Sequence, residues 1–120
     1  MTKNDILDLF GAIDAFDTQK FASYLDENTN FRFANIPVVS GKSNVFDFVA
    51  GFFQGIKGIS YKNLESWELE GIRFVNGTVT YTRHDNSTLT VDFANTFRLN
   101  GNKIKEYRIY IDNSDLFKQG

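Results

Sequence analysis

The sequence predicts an α+β fold in which three N-terminal helices pack on a strongly curved antiparallel sheet. The first half of the chain carries apolar side chains at helical spacing, whereas residues 59–112 alternate apolar and polar side chains. Two Asn-Gly pairs, Asn76-Gly77 and Asn100-Gly101, are typical of tight turns between neighbouring antiparallel strands. Helices that precede a run of strands indicate that the helices lie together on one face of the sheet.

Length and composition indicate a single domain over residues 1–120. The 13 Phe are unusually many, and such a number of rings fills a core or lines a cavity for an apolar ligand. A chain with no Cys, one His and a formal charge of −2 argues against a metal centre and against a nucleic-acid partner. We therefore expect no metal and no cofactor.

The N-terminal segment has no resemblance to a signal peptide, and no apolar run is long enough to span a membrane. A cytoplasmic protein without a membrane partner is the expectation.

The helical half of the chain contains three predicted helices. The first covers residues 3–16, with its cap at Thr2. A short second helix carries Phe21, Tyr24 and Leu25. A short strand over residues 30–33 and a loop over residues 34–42 follow.

Ser43 is predicted to cap the third helix, whose apolar face continues to Ile56. The strand half then begins with one long strand over residues 61–75, in which an interrupted alternation between residues 64 and 67 indicates a bulge. Strands over residues 78–84, 88–99 and 103–112 complete a predicted antiparallel meander.

One polar residue interrupts the apolar row of the strand over residues 88–99. Asn95 lies where its neighbours in the row, Phe93 and Phe97, are aromatic. A buried amide needs hydrogen-bond partners, so Asn95 is either a polar group that faces an apolar pocket or a core residue bonded to backbone. Both interpretations remain open at this point.

The closing segment, residues 101–112, has a Gly, a Lys-Ile pair and an aromatic-rich run that ends in Asp. It resembles the final strand of the nuclear transport factor 2-like, or SnoaL-like, superfamily. The order of the elements is also similar to the cystatin-like α+β cone of that superfamily, over nearly the whole chain. Its members include polyketide cyclases, ketosteroid isomerases and epoxide hydrolases, so the resemblance implies a pocket without deciding the reaction.

Two local matches are similar to the limonene-epoxide-hydrolase-like members of the superfamily. Residues 77–85 end in the Arg-x-Asp pattern of those members, and residues 33–37 resemble their Tyr-x-Asn-x-Pro loop. The resemblance implies that Arg83 holds the acidic groups, that Asp85 is one of them and that Asn35 positions a water molecule.

This chain departs from that pattern at two positions. Phe33 stands in place of the Tyr, and Ile109 in place of the second acid. Opening an epoxide needs one group that donates a proton and one that accepts it, so this reaction is disfavoured. Asn35 also occupies the place of the ketosteroid-isomerase base, and an amide cannot abstract a proton. A charge pair at the surface is the alternative interpretation of Arg83 and Asp85.

The sequence thus predicts a small-molecule pocket protein of SnoaL-like type, with isomerase, cyclase or hydrolase activity on an apolar substrate as candidate reactions. The alternative is a non-catalytic ligand-binding or dimerisation module, so whether the protein is an enzyme stays open. Asp85 and Arg83 are the catalytic candidates. The expected ligand-binding residues are Asn35, Asn95, Tyr81, Tyr107, Trp67, Phe93, Phe97, Phe48 and Phe52.

Two partners are expected. The Phe-rich interior predicts a small apolar or amphipathic molecule. The outward face of the strands is rich in Thr and weakly charged, with Arg108 and Tyr110 among its residues. Such a face suits burial against a second copy of the chain, so a homodimer is predicted.

Overall fold

The computed structural model describes residues 1–117, which form three helices and one curved six-stranded sheet in the strand order β2-β1-β6-β5-β4-β3. None of these helices is long and apolar enough to cross a membrane. The helices are α1 (Lys3–Asp14), α2 (Thr18–Ser23) and α3 (Lys42–Gln54). The strands are β1 (Leu25–Phe33), β2 (Val39–Ser40), β3 (Gly58–Leu69), β4 (Ile72–Thr82), β5 (Thr88–Asn100) and β6 (Lys103–Ile111).

The four strands from β3 to β6 form the predicted antiparallel meander. The prediction of a wholly antiparallel sheet is nevertheless wrong, because β1 pairs with β6 in parallel. A parallel pair needs a long crossover connection, and the chain between β1 and β6 supplies one because it contains α3 and three other meander strands. Leu25, predicted in the second helix, begins β1 instead, and β2 lies within the predicted loop.

The predicted turn at Asn76-Gly77 is wrong, because this pair lies inside β4. The hairpin from β3 to β4 turns at Glu70-Gly71, where both residues have positive φ, as tight hairpin turns require. Gly77 is needed for another reason: a Cβ at this position would lie 2.7 Å from the backbone oxygen of Lys62. That close approach belongs to the bulge of β3, which falls between Lys62 and Glu65.

Replacing Gly77 with Ala is therefore expected to lower the free energy of unfolding by about 1–3 kcal/mol, since the backbone must shift to admit the methyl group. Urea denaturation measures this loss. The matched control is Gly51→Ala in the middle of α3, where nothing lies within 4 Å of the added Cβ. That change should stabilise the helix by about 0.5–1 kcal/mol. Equal stability of Gly77→Ala and the unchanged protein would show that the bulge is misplaced.

The helices cover one face of the sheet, and the side chains between them form one apolar core. α1 begins at Thr2, whose hydroxyl accepts a hydrogen bond from the Asp5 backbone N–H at 3.1 Å. The Asp5 carboxylate accepts from the Thr2 N–H at 2.7 Å, which completes a capping box. The largest fully buried side chains are those of Tyr81, Tyr107, Phe10, Phe21, Phe31 and Phe97. The aromatic residues are thus the main filling of the interior.

Candidate functional site

An aromatic cavity of about 30 Å³ lies between α3, β1, β6 and the start of β3. This volume has room for water but for no organic ligand in this conformation. Among the residues that the structure describes, none that lines the cavity carries a carboxylate or a basic group. The lining consists of Ile13, Phe21, Phe31, Phe33, Phe48, Val49, Phe52, Phe53, Ile59, Tyr61, Tyr107 and Ile109.

Three tyrosines lie at or beside this interior. Tyr61 on β3 and Tyr107 on β6 line the cavity, and Tyr81 on β4 is buried with its ring 6.1 Å from that of Phe52. Burial raises the pKa of Tyr81 and of Tyr107 above the ordinary range. Burial also raises the pKa of Tyr61, and the charges that Tyr81 and Tyr107 would carry on ionisation raise it further. We call these three residues the tyrosine set.

The hydroxyls of the tyrosine set have no hydrogen-bond partner within residues 1–117. A buried Tyr hydroxyl usually finds one, so three unpaired hydroxyls in one interior are unusual. A tyrosine hydroxyl is protonated near neutral pH at its ordinary pKa of about 10, and burial raises the pKa of all three further above that range. Tyr61 and Tyr107 therefore present two hydrogen-bond donors at the cavity wall, and Tyr81 is a third donor beside it.

Asn95 adds a fourth polar group from β5. Its side chain is 2% exposed, and its oxygen Oδ1 has no hydrogen-bond partner among the described residues. This finding argues against an Oδ1 bonded to backbone, and Asn95 lies outside the lining of the cavity. The meander strands thus contribute Tyr61, Tyr81, Asn95 and Tyr107, and β4 also buries the polar side chain of Arg73.

Sequence reasoning missed Tyr61. The available signal was its parity with Ile59, which is buried on the same strand. A nearby carboxylate was missed as well: Asp14, at the end of α1, accepts a hydrogen bond from the Tyr61 backbone N–H at 3.1 Å. Burial raises the pKa of Asp14, and the charge of Asp14 contributes to the raised pKa of Tyr61. Asp14 does not line the cavity.

Several predicted pocket residues do lie at the cavity. Phe48, Phe52 and Tyr107 line it. Phe93 and Phe97 lie behind it: the Phe93 ring is 5.1 Å from that of Tyr61, and the Phe97 ring is 4.5 Å from that of Tyr107. Ile109, which replaces the second acid of the epoxide-hydrolase-like pattern, also lines the cavity. The position is therefore apolar in space as well as in sequence.

The predicted Arg83–Asp85 pair in the pocket is not present. Arg83 donates hydrogen bonds to the backbone oxygens of Leu116, at 2.7 Å, and Asp115, at 3.0 Å. Asp85 is exposed, and its carboxylate accepts from the backbone N–H and hydroxyl of Ser87, which lowers its pKa. The physical reason is local: Asp85 closes the turn between β4 and β5, and such turns favour Asp.

Two further predicted residues lie outside the interior. Trp67 is 52% exposed, on the opposite face of the sheet, because the bulge of β3 shifts the alternation of the residues that follow it. Asn35 is exposed in the turn after β1. Residues 1–117 also contain no group of His, Asp or Glu side chains arranged to hold a metal ion.

A family model described as a SnoaL-like domain matches residues 6–107. The chain belongs to the SnoaL-like domain family. This match confirms the resemblance to the nuclear transport factor 2-like superfamily inferred from the sequence. No curated protein sequence matches this SnoaL-like chain.

Solved structures share the fold. An NTF2-like protein of unknown function from Burkholderia pseudomallei has a TM-score of 0.86 at 14% identity, over 97% of this chain and 95% of its own. TerC, co-crystallised with polyporic acid, has a TM-score of 0.83 at 17% identity, over 94% and 92%. A Mycobacterium tuberculosis LEH-like epoxide hydrolase has a TM-score of 0.79 at 12% identity, over 95% and 84%. Identities this low establish the fold alone.

Proposed function

We propose that the interior binds a small apolar or amphipathic molecule that carries a carbonyl or hydroxyl oxygen. The observation that carries this proposal is the tyrosine set, Tyr61, Tyr81 and Tyr107, with its three unpaired hydroxyls in an aromatic interior. An oxygen of the ligand accepts hydrogen bonds from these donors, and the surrounding Phe rings bury its apolar part. Asn95 supplies a further polar contact through its unpaired Oδ1.

Binding is better supported than a reaction. An isomerase, cyclase or hydrolase of this kind needs a group that accepts a proton beside the ligand. The described cavity lining offers none, and Arg83 and Asp85 are engaged elsewhere. TerC, with the same fold, was crystallised with polyporic acid, which supports a small organic ligand for this chain as well.

Proton transfer to or from the ligand is the second candidate function, and Asp14 is the observation that favours it. Its carboxylate contacts the Tyr61 backbone, and burial raises its pKa toward the range of a useful base. Asp14 lies outside the cavity lining, so a ligand must approach the end of α1 before this residue can act.

The binding proposal is tested with 4-fluoroacetophenone and 4-fluorotoluene, two small rings that differ in the carbonyl group. Ligand-observed ¹⁹F NMR should show that the ketone binds about fivefold more tightly, since one net hydrogen bond contributes about 1 kcal/mol. Tyr107→Phe should reduce this preference. Tyr110→Phe on the same strand is the matched control, because Tyr110 is 53% exposed on the outer face. Equal affinity for the two compounds in the unchanged protein would refute a role for the tyrosine set.

The outer face of the sheet is the proposed interface of a homodimer. It carries the exposed apolar side chains of Trp67, Leu69, Phe74 and Tyr110, which are 52%, 65%, 37% and 53% exposed. Trp67 and Phe74 are direct cross-strand partners, so the patch is continuous across β3 and β4. Exposed aromatic patches of this kind are typical of protein interfaces.

A cytoplasmic location stays a prediction.

Light scattering at micromolar concentration should therefore give twice the 13.7 kDa mass of the chain. Phe74→Lys should produce a monomer, since it places a charge in the centre of the proposed interface. Val38→Lys is the control: Val38 is 53% exposed just before β2, at the opposite edge of the sheet from β3 and β4, and this variant should remain a dimer. A monomeric mass for the unchanged protein would contradict the interface.

A further inference from the structure

The chain turns back on itself after the last strand. β6 ends at Ile111, and residues 112–117, here called the strap, lie outside the sheet ladder. The carboxylate of Asp112 starts the turn by accepting from the backbone N–H of Ser114 at 3.1 Å and from its hydroxyl at 2.7 Å. The Leu116 N–H then donates to the Asn113 oxygen at 2.9 Å. The strap therefore has a defined conformation although it belongs to no helix or strand.

Arg83 joins the strap to the turn between β4 and β5. Its Nε and Nη2 donate to the backbone oxygens of Leu116 and Asp115, at 2.7 and 3.0 Å. Its Nη1 donates to the Ser87 hydroxyl at 3.1 Å and to the Thr88 oxygen at 3.2 Å. Hydrogen bonds from a charged donor are stronger than neutral ones, so this one side chain is a principal attachment of the strap.

The strap contacts the wall of the aromatic cavity. Leu116 is 0% exposed and belongs to the core, whereas Phe117 is 63% exposed. The Phe117 ring lies edge-on to Phe52, with the centroids 6.4 Å apart, and Phe52 lines the cavity. The same ring approaches the Cβ position of Gly55 to 3.4 Å, so Phe117 also covers the end of α3. Phe52 thus separates the strap from the interior.

We infer that the strap is a movable cover of the ligand site and that Arg83 holds it closed. This inference rests on the proposed function, because a cover matters only where a ligand enters. A cavity of about 30 Å³ cannot admit an organic molecule until part of its wall moves. The strap lies next to that wall outside the sheet ladder, and its opening releases the Arg83 contacts and exposes Leu116. When Arg83 releases the two carbonyl oxygens, Phe117 leaves Phe52, and the Phe52 ring is free to turn outward.

The test measures how fast a ligand enters and leaves. Exchange of 4-fluoroacetophenone between the free and bound states is followed by ¹⁹F NMR in the full-length protein. Arg83→Met removes the hydrogen bonds to the strap, and Phe117→Ser weakens the strap without touching buried side chains. Each should raise the association and dissociation rates by about tenfold or more, since a minor open state is populated at roughly 0.1–10%. Ser87→Ala is the control, because it removes one Arg83 contact to the turn and leaves both strap contacts.

The outcomes separate the cover from the site itself. Faster exchange in both strap variants, with unchanged exchange in Ser87→Ala, supports the inference. If some variants do not bind, slower exchange in the unchanged protein than in the strap variant that does bind also supports the inference. Binding at equal rates in all four proteins overturns the cover and leaves the binding site intact. Absence of binding in all four proteins, each shown to be folded by circular dichroism, overturns the proposed function and the cover together.

Discussion

Replacing Phe97 with Ala is expected to lower the free energy of unfolding by about 3–5 kcal/mol, the usual loss for a buried Phe. Phe97 is 0% exposed at the centre of β5, and its ring lies 4.5 Å from that of Tyr107, its cross-strand partner. The sheet ladder holds the backbone on both sides, so the cavity left by the ring cannot collapse fully. Urea denaturation of the two proteins gives the difference.

The control for this change is Val38→Ala. Val38 is 53% exposed just before β2, so its truncation removes little buried area and should cost less than about 0.5 kcal/mol. A loss below 1 kcal/mol for Phe97→Ala would show that the aromatic interior is loosely packed. The predicted closure of the cavity would then be wrong.

Stability is expected to fall steeply at alkaline pH. Burial raises the pKa of Tyr61, Tyr81 and Tyr107 above the value of about 10 that tyrosine has in an unfolded chain. Below about pH 10 both states keep these protons, so the three residues give no pH dependence. Above it the unfolded chain binds fewer protons than the folded one, and the free energy of unfolding falls as pH rises. For three groups the slope approaches about 4 kcal/mol per pH unit.

Urea denaturation at intervals from pH 8 to 11 measures this slope. Tyr107→Phe removes one of the three groups and should reduce the slope by about 1.4 kcal/mol per pH unit. Val49→Ala is the matched control: Val49 is buried and does not titrate, so this variant loses stability without changing the slope. A slope that Tyr107→Phe leaves unchanged would place the Tyr107 hydroxyl in water.

Much of the fold follows from sequence periodicity. The helices and the antiparallel meander appear in the apolar pattern, because one buried face imposes its period on each element. The parallel pairing of β1 with β6 does not appear there, since it depends on where the chain returns after a long crossover. The Asn76-Gly77 pair misled because Gly has two uses: it permits a tight turn, and it permits the close approach of another backbone.

The candidate site was predictable only in part. Parity placed Tyr81, Tyr107 and Asn95 inward, because the alternation is undisturbed around Tyr81 in β4 and Asn95 in β5 and from Tyr107 onward in β6. The prediction that Trp67 lines the pocket is wrong because a one-residue bulge reverses the facing of every later residue in β3. The prediction that Arg83 lies in the pocket is wrong because two of its hydrogen-bond partners, the backbone oxygens of Asp115 and Leu116, lie 32 and 33 residues further along the chain. No local pattern reports a contact of that kind.

A crystal structure with 4-bromoacetophenone tests the central claim most directly. The anomalous signal of bromine locates the ring without assumptions about the surrounding side chains. The account predicts bromine among Phe48, Phe52 and Ile109, with the ketone oxygen within hydrogen-bond distance of a hydroxyl of the tyrosine set. Bromine found only on the outer face beside Trp67 and Phe74, with the interior still filled by its own rings, would contradict it.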